Sequence, residues 1–182
     1  MEQYQMIGKL IGYVRTEANI SQDKLCRGLC SRTFLARVEN GKRECEQILS
    51  EALLQRAGVA SDRFVFTANP EEQIWITCRE KMYRAVDVGD NEKANIAFEE
   101  YRKISEGKCL LHKQLLLFYQ AVLGWKSGME KKELLAMLLE AWEISQPGIS
   151  LEEINSGNLT MTEFSIVNPI SMINSFYCMR KH

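Results

Sequence analysis

Arg32 and Arg37 have the most legible chemistry in this sequence of 182 residues. They lie five positions apart in the run RTFLARVEN, which on a helix is roughly 140° around and about 7.5 Å along the axis. A guanidinium can place two hydrogen bonds on a guanine edge, and Thr33 can meet a thymine methyl or a phosphate. Ala36 lies on the same face. Plain charge at Lys42 and Arg43 suits a phosphate backbone. Residues 21–43 hold six Lys or Arg against two acidic residues, a net of +4, although the whole chain carries −1. Phosphate affinity depends on such local clustering and not on the total. The same arginines also fit a solvated helix face paired with glutamate, so residue type alone leaves two readings open.

The elements around them follow from periodicity and caps. Ile7, Leu10, Ile11 and Val14 have the spacing of a helix that buries one stripe. Asn19 or Ser21 can cap a short second helix containing Leu25, opened by Gln22 and Asp23 and interrupted at Gly28. Ser31 can cap a third helix that stops at Asn40-Gly41, with glycine as a left-handed end. On that helix Leu35 and Val38 form the buried side with Phe34 beside them, so Arg32, Thr33, Ala36 and Arg37 face away. Cys45, Ile48, Leu49, Ala52 and Leu53 make one face of a fourth helix ending near Gly58. Two short helices joined by a tight turn and braced on both sides form a helix-turn-helix arrangement.

The segment SQDKLCRGLCSRTFLARVENGKRE resembles the helix-turn-helix of the XRE (phage repressor and Cro-like) family. Ser21-Gln22, Leu25-Cys26 and Val38-Glu39-Asn40-Gly41 carry the match. The turn Arg27-Gly28-Leu29-Cys30-Ser31 is one residue shorter than the commonest family spacing, which resembles the Rgg/PlcR-like branch. The match spans about a third of the chain. It implies base contacts from Arg32, Thr33, Ala36 and Arg37, and contacts to the DNA backbone from Gln22, Ser31, Lys42 and Arg43. It also implies a homodimer, because recognition helices of this type read paired half-sites about one helical turn apart. With that arrangement around the arginines, double-stranded DNA is the favoured partner. Ala36 departs from the pattern, since the family often carries a polar residue there. Glu39 reads as structural, within reach of an arginine or a backbone amide.

Beyond residue 70 the glycines at 89, 107 and 128 divide four helices, about 71–88, 91–106, 108–127 and 129–146. An offset of forty residues aligns Trp75 with Leu115, Cys78 with Phe118, Met82 with Val122, Ala94 with Leu134, Phe98 with Leu138 and Tyr101 with Ala141. This spacing, with Ala-x3-Phe-x2-Tyr in the second helix, resembles tetratricopeptide repeats: stacked antiparallel hairpins, each burying its apolar face on the next. Trp75, Met82, Phe98, Phe118 and Trp142 read as core. The run 108–125 is apolar almost all round and belongs at the centre of the array. After an interruption at 147–159, Thr160-Met161-Thr162-Glu163 reads as a capping box opening a last helix that Pro169 should kink. The stretch 138–177 resembles the third-repeat region of Rgg/PlcR-like regulators, in which more repeats follow. The last helix, with Phe164, Ile166, Ile170, Ile173 and Phe176, is therefore expected to need a partner, as in a dimer or a longer chain. By the same resemblance a signalling peptide would lie in a groove with Tyr83, His112, Gln120 and Asn168 as polar contacts. By residue type alone, His112 more often reads as a satisfied or partly exposed histidine than as a ligand contact.

Several classes fall away. No run approaches the roughly 18 to 20 apolar residues of a membrane span, and MEQYQMIGKL has no signal-peptide pattern. Six cysteines without an export signal read as reduced thiols in a cytoplasm. With two histidines, no CxxC pair, no phosphate-cradling glycine loop and no GxSxG elbow, neither an enzyme, a metal site nor a cofactor is expected. The sequence thus predicts an all-α chain. It has a helix-turn-helix domain of four to five helices over 1–60, a linker over 61–70 and a helical-hairpin array over 71–182. The expected function is a cytoplasmic, bacterial-type transcriptional regulator with a sensor or dimerisation array. The alternative is a protein–protein interaction module whose helix-turn-helix no longer binds DNA.

Overall fold

A computed structural model describes residues 3–59, 70–150, 153 and 159–179, with backbone alone at 3, 70, 71 and 174–179. Among the described residues the chain is all-α, with nine helices and no strand. They are α1 (Gln3–Glu17), α2 (Gln22–Cys26), α3 (Arg32–Glu39), α4 (Gln47–Arg56), α5 (Pro70–Asp87), α6 (Asn91–Ile104), α7 (Leu110–Lys126), α8 (Lys131–Ser145) and α9 (Met161–Met179). None is long and apolar enough to cross a membrane. The described cysteines Cys26, Cys30, Cys45, Cys78 and Cys109 form no disulfide.

The helices divide into two compact units. The first comprises Met1–Glu72 with Ser145–Met161, and the second Gln73–Ile144 with Thr162–His182. Residues 145–150, read from the sequence as part of the array, thus belong to the first unit. The expected linker lies outside the described residues except for Pro70, which opens α5.

In the first unit Ile7, Ile11, Leu25, Leu35, Val38, Leu49 and Leu53 are buried, so α1 to α4 close one core. Ser21 caps α2: its hydroxyl accepts from the Lys24 amide at 3.2 Å, while Asn19 instead turns the chain in the left-handed region (φ 54°). Ser31 caps α3 in the same way, accepting from the Phe34 amide at 3.1 Å. Glu46 makes no side-chain cap for α4; the carboxylate of Glu72, 3% exposed, accepts from the Gln47 amide at 3.0 Å. A carboxylate there satisfies an orphan donor and meets the positive end of the helix dipole.

Gly8 looks like a defect in α1, since glycine inside a helix costs about 1 kcal/mol relative to alanine. Its role is space. A Cβ built there would lie 1.9 Å from the Val38 carbonyl oxygen, so the α1 backbone rests directly on the end of α3. Gly8→Ala is expected to destabilise the chain by about 1–3 kcal/mol through overpacking, against its better helix propensity. Urea unfolding reads the sign, and a stabilised variant would mean that α1 and α3 do not touch here.

In the second unit Cys78 and Met82 of α5, Ala97 and Tyr101 of α6, and Leu115 and Tyr119 of α7 form the core cluster. Trp75, Phe98 and Phe118 pack partly buried around it, and Trp142 is buried. The offset of forty reappears in burial, with Ala94 and Leu134 and then Tyr101 and Ala141 all inside. Gln114 is 1% exposed and donates to the Ala141 carbonyl at 2.9 Å, tying α7 to α8. One expectation is corrected in α9. Ile166, Ile170 and Ile173 are fully buried within the chain, so this face needs no second molecule to cover it. Phe164 is half exposed, and the side chain of Phe176 is outside the described residues.

Candidate nucleic-acid interface

The face of α3 is set by its two ends. At the start is the Ser31 cap. At the finish, the Gly41 amide donates to the Val38 carbonyl (2.9 Å) and the Lys42 amide to the Arg37 carbonyl (2.8 Å), a closure that needs the left-handed φ of 66° at Gly41. Leu35 and Val38 are 0% exposed and hold one side on the core. Arg32, Thr33 and Arg37 are consequently exposed, with Phe34 and Ala36 half-buried between the two sides.

Glu39 is the anchor. Arg15 Nε donates to its Oε1 at 2.6 Å and Nη2 to its Oε2 at 3.0 Å, while Nη1 donates to the Ile20 carbonyl at 3.0 Å. Gln22 Nε2 adds a bond of 2.7 Å to the same carboxylate. One guanidinium thus joins α1, the loop before α2 and the end of α3, in the bidentate geometry specific to arginine. Burial would raise the Glu39 carboxyl, but the bonds from Arg15 and Gln22 and the Arg15 charge outweigh it and hold the group below its ordinary value. The bonds that Arg15 donates to Glu39, against a smaller opposing effect of burial, raise the Arg15 guanidinium above its ordinary value. Because the folded state lowers the Glu39 pKa, the pair's contribution is complete above the unfolded value near 4.5 and is lost as pH falls through the lower folded value. Glu39→Gln is expected to cost about 1–3 kcal/mol at neutral pH. In urea melts across pH that deficit should shrink below the unfolded value; a deficit independent of pH would mean that the carboxylate charge is not what matters.

This anchoring changes the charge balance. Glu39 is one of the two acidic residues in 21–43 and is neutralised from outside the segment by Arg15, leaving Asp23 as the segment's exposed acid. Asp23 lies 3.5 Å from Arg32, with 66% and 67% of the two side chains exposed. Such a pair contributes at most about 1 kcal/mol and yields readily to a phosphate. Arg37 and Lys42 form no ion pair among the described residues. The Arg43 guanidinium lies over the Phe34 ring, 5.8 Å from its centroid. The Ser31 hydroxyl keeps its proton for donation. Gln22 spends one of its two amide N–H bonds on Glu39 and retains the other.

Neither of two clefts in the second unit, one of about 300 Å³ and one of about 390 Å³, is lined by any of the four expected groove residues. His112 is 2% exposed, its Nδ1 2.6 Å from the Tyr101 hydroxyl and its ring edge-on to Trp75 at 5.1 Å, so it belongs to the core. Tyr83 is half exposed against Tyr119 (5.5 Å), and Gln120 and Asn168 are exposed. Sequence reasoning missed Arg15, Glu72, Arg56 and Gln114. Arginine and glutamine at partly apolar helix positions were the available signal, and their partners lie 24 or more residues away.

No protein-family model, no curated protein and no solved structure matches this chain.

Proposed function

We propose that the chain is a sequence-specific, double-stranded-DNA-binding transcriptional regulator in which α2, the turn and α3 act as an XRE-like helix-turn-helix. The observation that carries this reading is the locked end of α3: Arg15 neutralises Glu39 internally, and Arg37 and Lys42 stand exposed without a competing carboxylate among the described residues. Arg32, Thr33 and Arg37 face base edges, with Ala36 lying between them as an apolar contact. Gln22, Ser31, Lys42 and Arg43 hold phosphates. The protein acts as a homodimer on paired half-sites; this rests on half-site geometry alone, since α9 does not leave its isoleucines uncovered. The second unit serves as the sensor or dimerisation part.

Selection from a random duplex pool with the full chain tests the proposal. The expected result is an enriched motif with two half-sites about 10 base pairs apart, bound by a dimer in light scattering. The second reading, an interaction module, is favoured by Ala36 and by the engagement of Gln22 with Glu39. A pool that yields no motif, with uniform weak binding, would replace the first reading by the second.

A further inference from the structure

The turn between α2 and α3 is held by residues outside the helix-turn-helix. Arg27 follows α2 with φ −52° and ψ 122°, and Gly28 comes next in the left-handed region (φ 69°). The Leu29 and Cys30 amides donate to the Cys26 carbonyl at 2.9 and 3.0 Å. The Arg27 carbonyl accepts from Arg56 Nη1, and Nη2 of the same guanidinium donates to the Ser145 carbonyl at 2.8 Å. All of these residues belong to the first unit. We propose that Arg56, anchored on Ser145, is a positioning residue for DNA recognition. It sets the angle at which α3 leaves the turn, and so governs the base contact of Arg32 and not that of Arg37; this rests on the DNA-binding reading given above.

Two features make this a brace. Arg56 and Ser145 are both buried, and a planar guanidinium bonded to two main-chain oxygens fixes their separation and orientation together. The second is clearance. A Cβ on Gly28 would lie 2.1 Å from the Ser145 oxygen and 2.8 Å from Pro147 Cδ, so the turn rests on residues 145–147 with no space to roll toward them.

Leverage decides which base contact depends on the brace. The far end of α3 is clamped by Arg15 on Glu39, so a loosened turn lets the helix tilt about that end. Along the axis Arg32 lies about 10 Å from the clamp and Arg37 about 3 Å. A tilt of about 10° therefore moves the Arg32 end by about 2 Å and the Arg37 end by about 0.5 Å. Productive contacts tolerate displacements of only about 0.5 Å, so the first is lost and the second survives.

Arg56→Lys and Arg56→Gln in the full chain test this on three kinds of duplex. These are the selected site, sites altered at the base positions that Arg32→Ala and Arg37→Ala identify, and scrambled DNA. Both variants should reduce discrimination at the Arg32 position by at least about threefold, out of the roughly 5- to 150-fold that one bidentate contact supplies. Discrimination at the Arg37 position should stay within about twofold. In the Arg32→Ala background neither variant should have a further effect at the Arg32 position. Partial unfolding lowers affinity for every duplex by one factor and cancels in these ratios, so lost stability does not imitate the result. Hydrogen exchange without DNA supplies a second readout. Relative to the Gly41 and Lys42 amides, those of Leu29 and Cys30 should exchange about tenfold faster in Arg56→Lys. A uniform loss across all duplexes, an equal loss at both positions, or unchanged exchange at the turn would overturn this inference alone. A wild-type chain that selects no motif would overturn the DNA-binding reading and this inference with it.

Discussion

Arg56→Met is expected to lower the unfolding free energy by about 2–4 kcal/mol, a large part of the 5–15 kcal/mol available to a typical domain. Arg56, at the end of α4, is 5% exposed. It donates to the Arg27 carbonyl in the turn before α3 and, at 2.8 Å, to the Ser145 carbonyl, whose residue is 0% exposed. Methionine keeps much of the volume and removes the donors, so a buried carbonyl loses its partner. The same place is tight in another way: a Cβ on Gly28 would fall 2.1 Å from the Ser145 oxygen. Arg56→Lys should recover only part of the loss, because an ammonium cannot span both carbonyls as the planar fork does. Urea midpoints at fixed slope measure the difference. Wild-type stability in Arg56→Met would mean that the two carbonyls find other donors and that the turn does not depend on this residue.

Arg37→Ala should reduce discrimination between the selected site and scrambled DNA by about 1–3 kcal/mol, roughly 5- to 150-fold, with the loss confined to one base position. Arg37 sits one residue before fully buried Val38 and two before the clamped Glu39, so its backbone is held while its side chain is exposed. Preorganisation of that kind favours specific contact because little ordering remains to be done on binding. Arg32→Ala should act at a neighbouring position and cost less, since Arg32 is already shared with Asp23. Lys42→Ala should weaken every sequence about equally and flatten the salt dependence by about one unit of slope. Competition binding across a salt series separates the outcomes. If the specific-to-scrambled ratio survives both arginine substitutions, α3 is not the reader and the interaction-module reading takes its place.

The boundary between sequence and structure in this chain follows the range of the interactions. Caps, turns and stripes are set within four or five residues. The sequence by itself therefore determined the all-α class, the Ser31 start and Gly41 finish of α3, its Leu35 and Val38 side and the forty-residue spacing of α5–α6 and α7–α8. Tertiary structure decided what depends on distant partners. Glu39 finds Arg15 24 residues away, and Arg56 reaches carbonyls 29 and 89 residues away. No local pattern encodes those separations. Gly8 reads as a weak point of α1 until the Val38 carbonyl appears beside it, and His112 stays open between a groove contact and a satisfied histidine until Tyr101 and Trp75 are seen against it. The isoleucines of α9 follow the same logic: an apolar stripe states that a face must be covered, and only packing states by what.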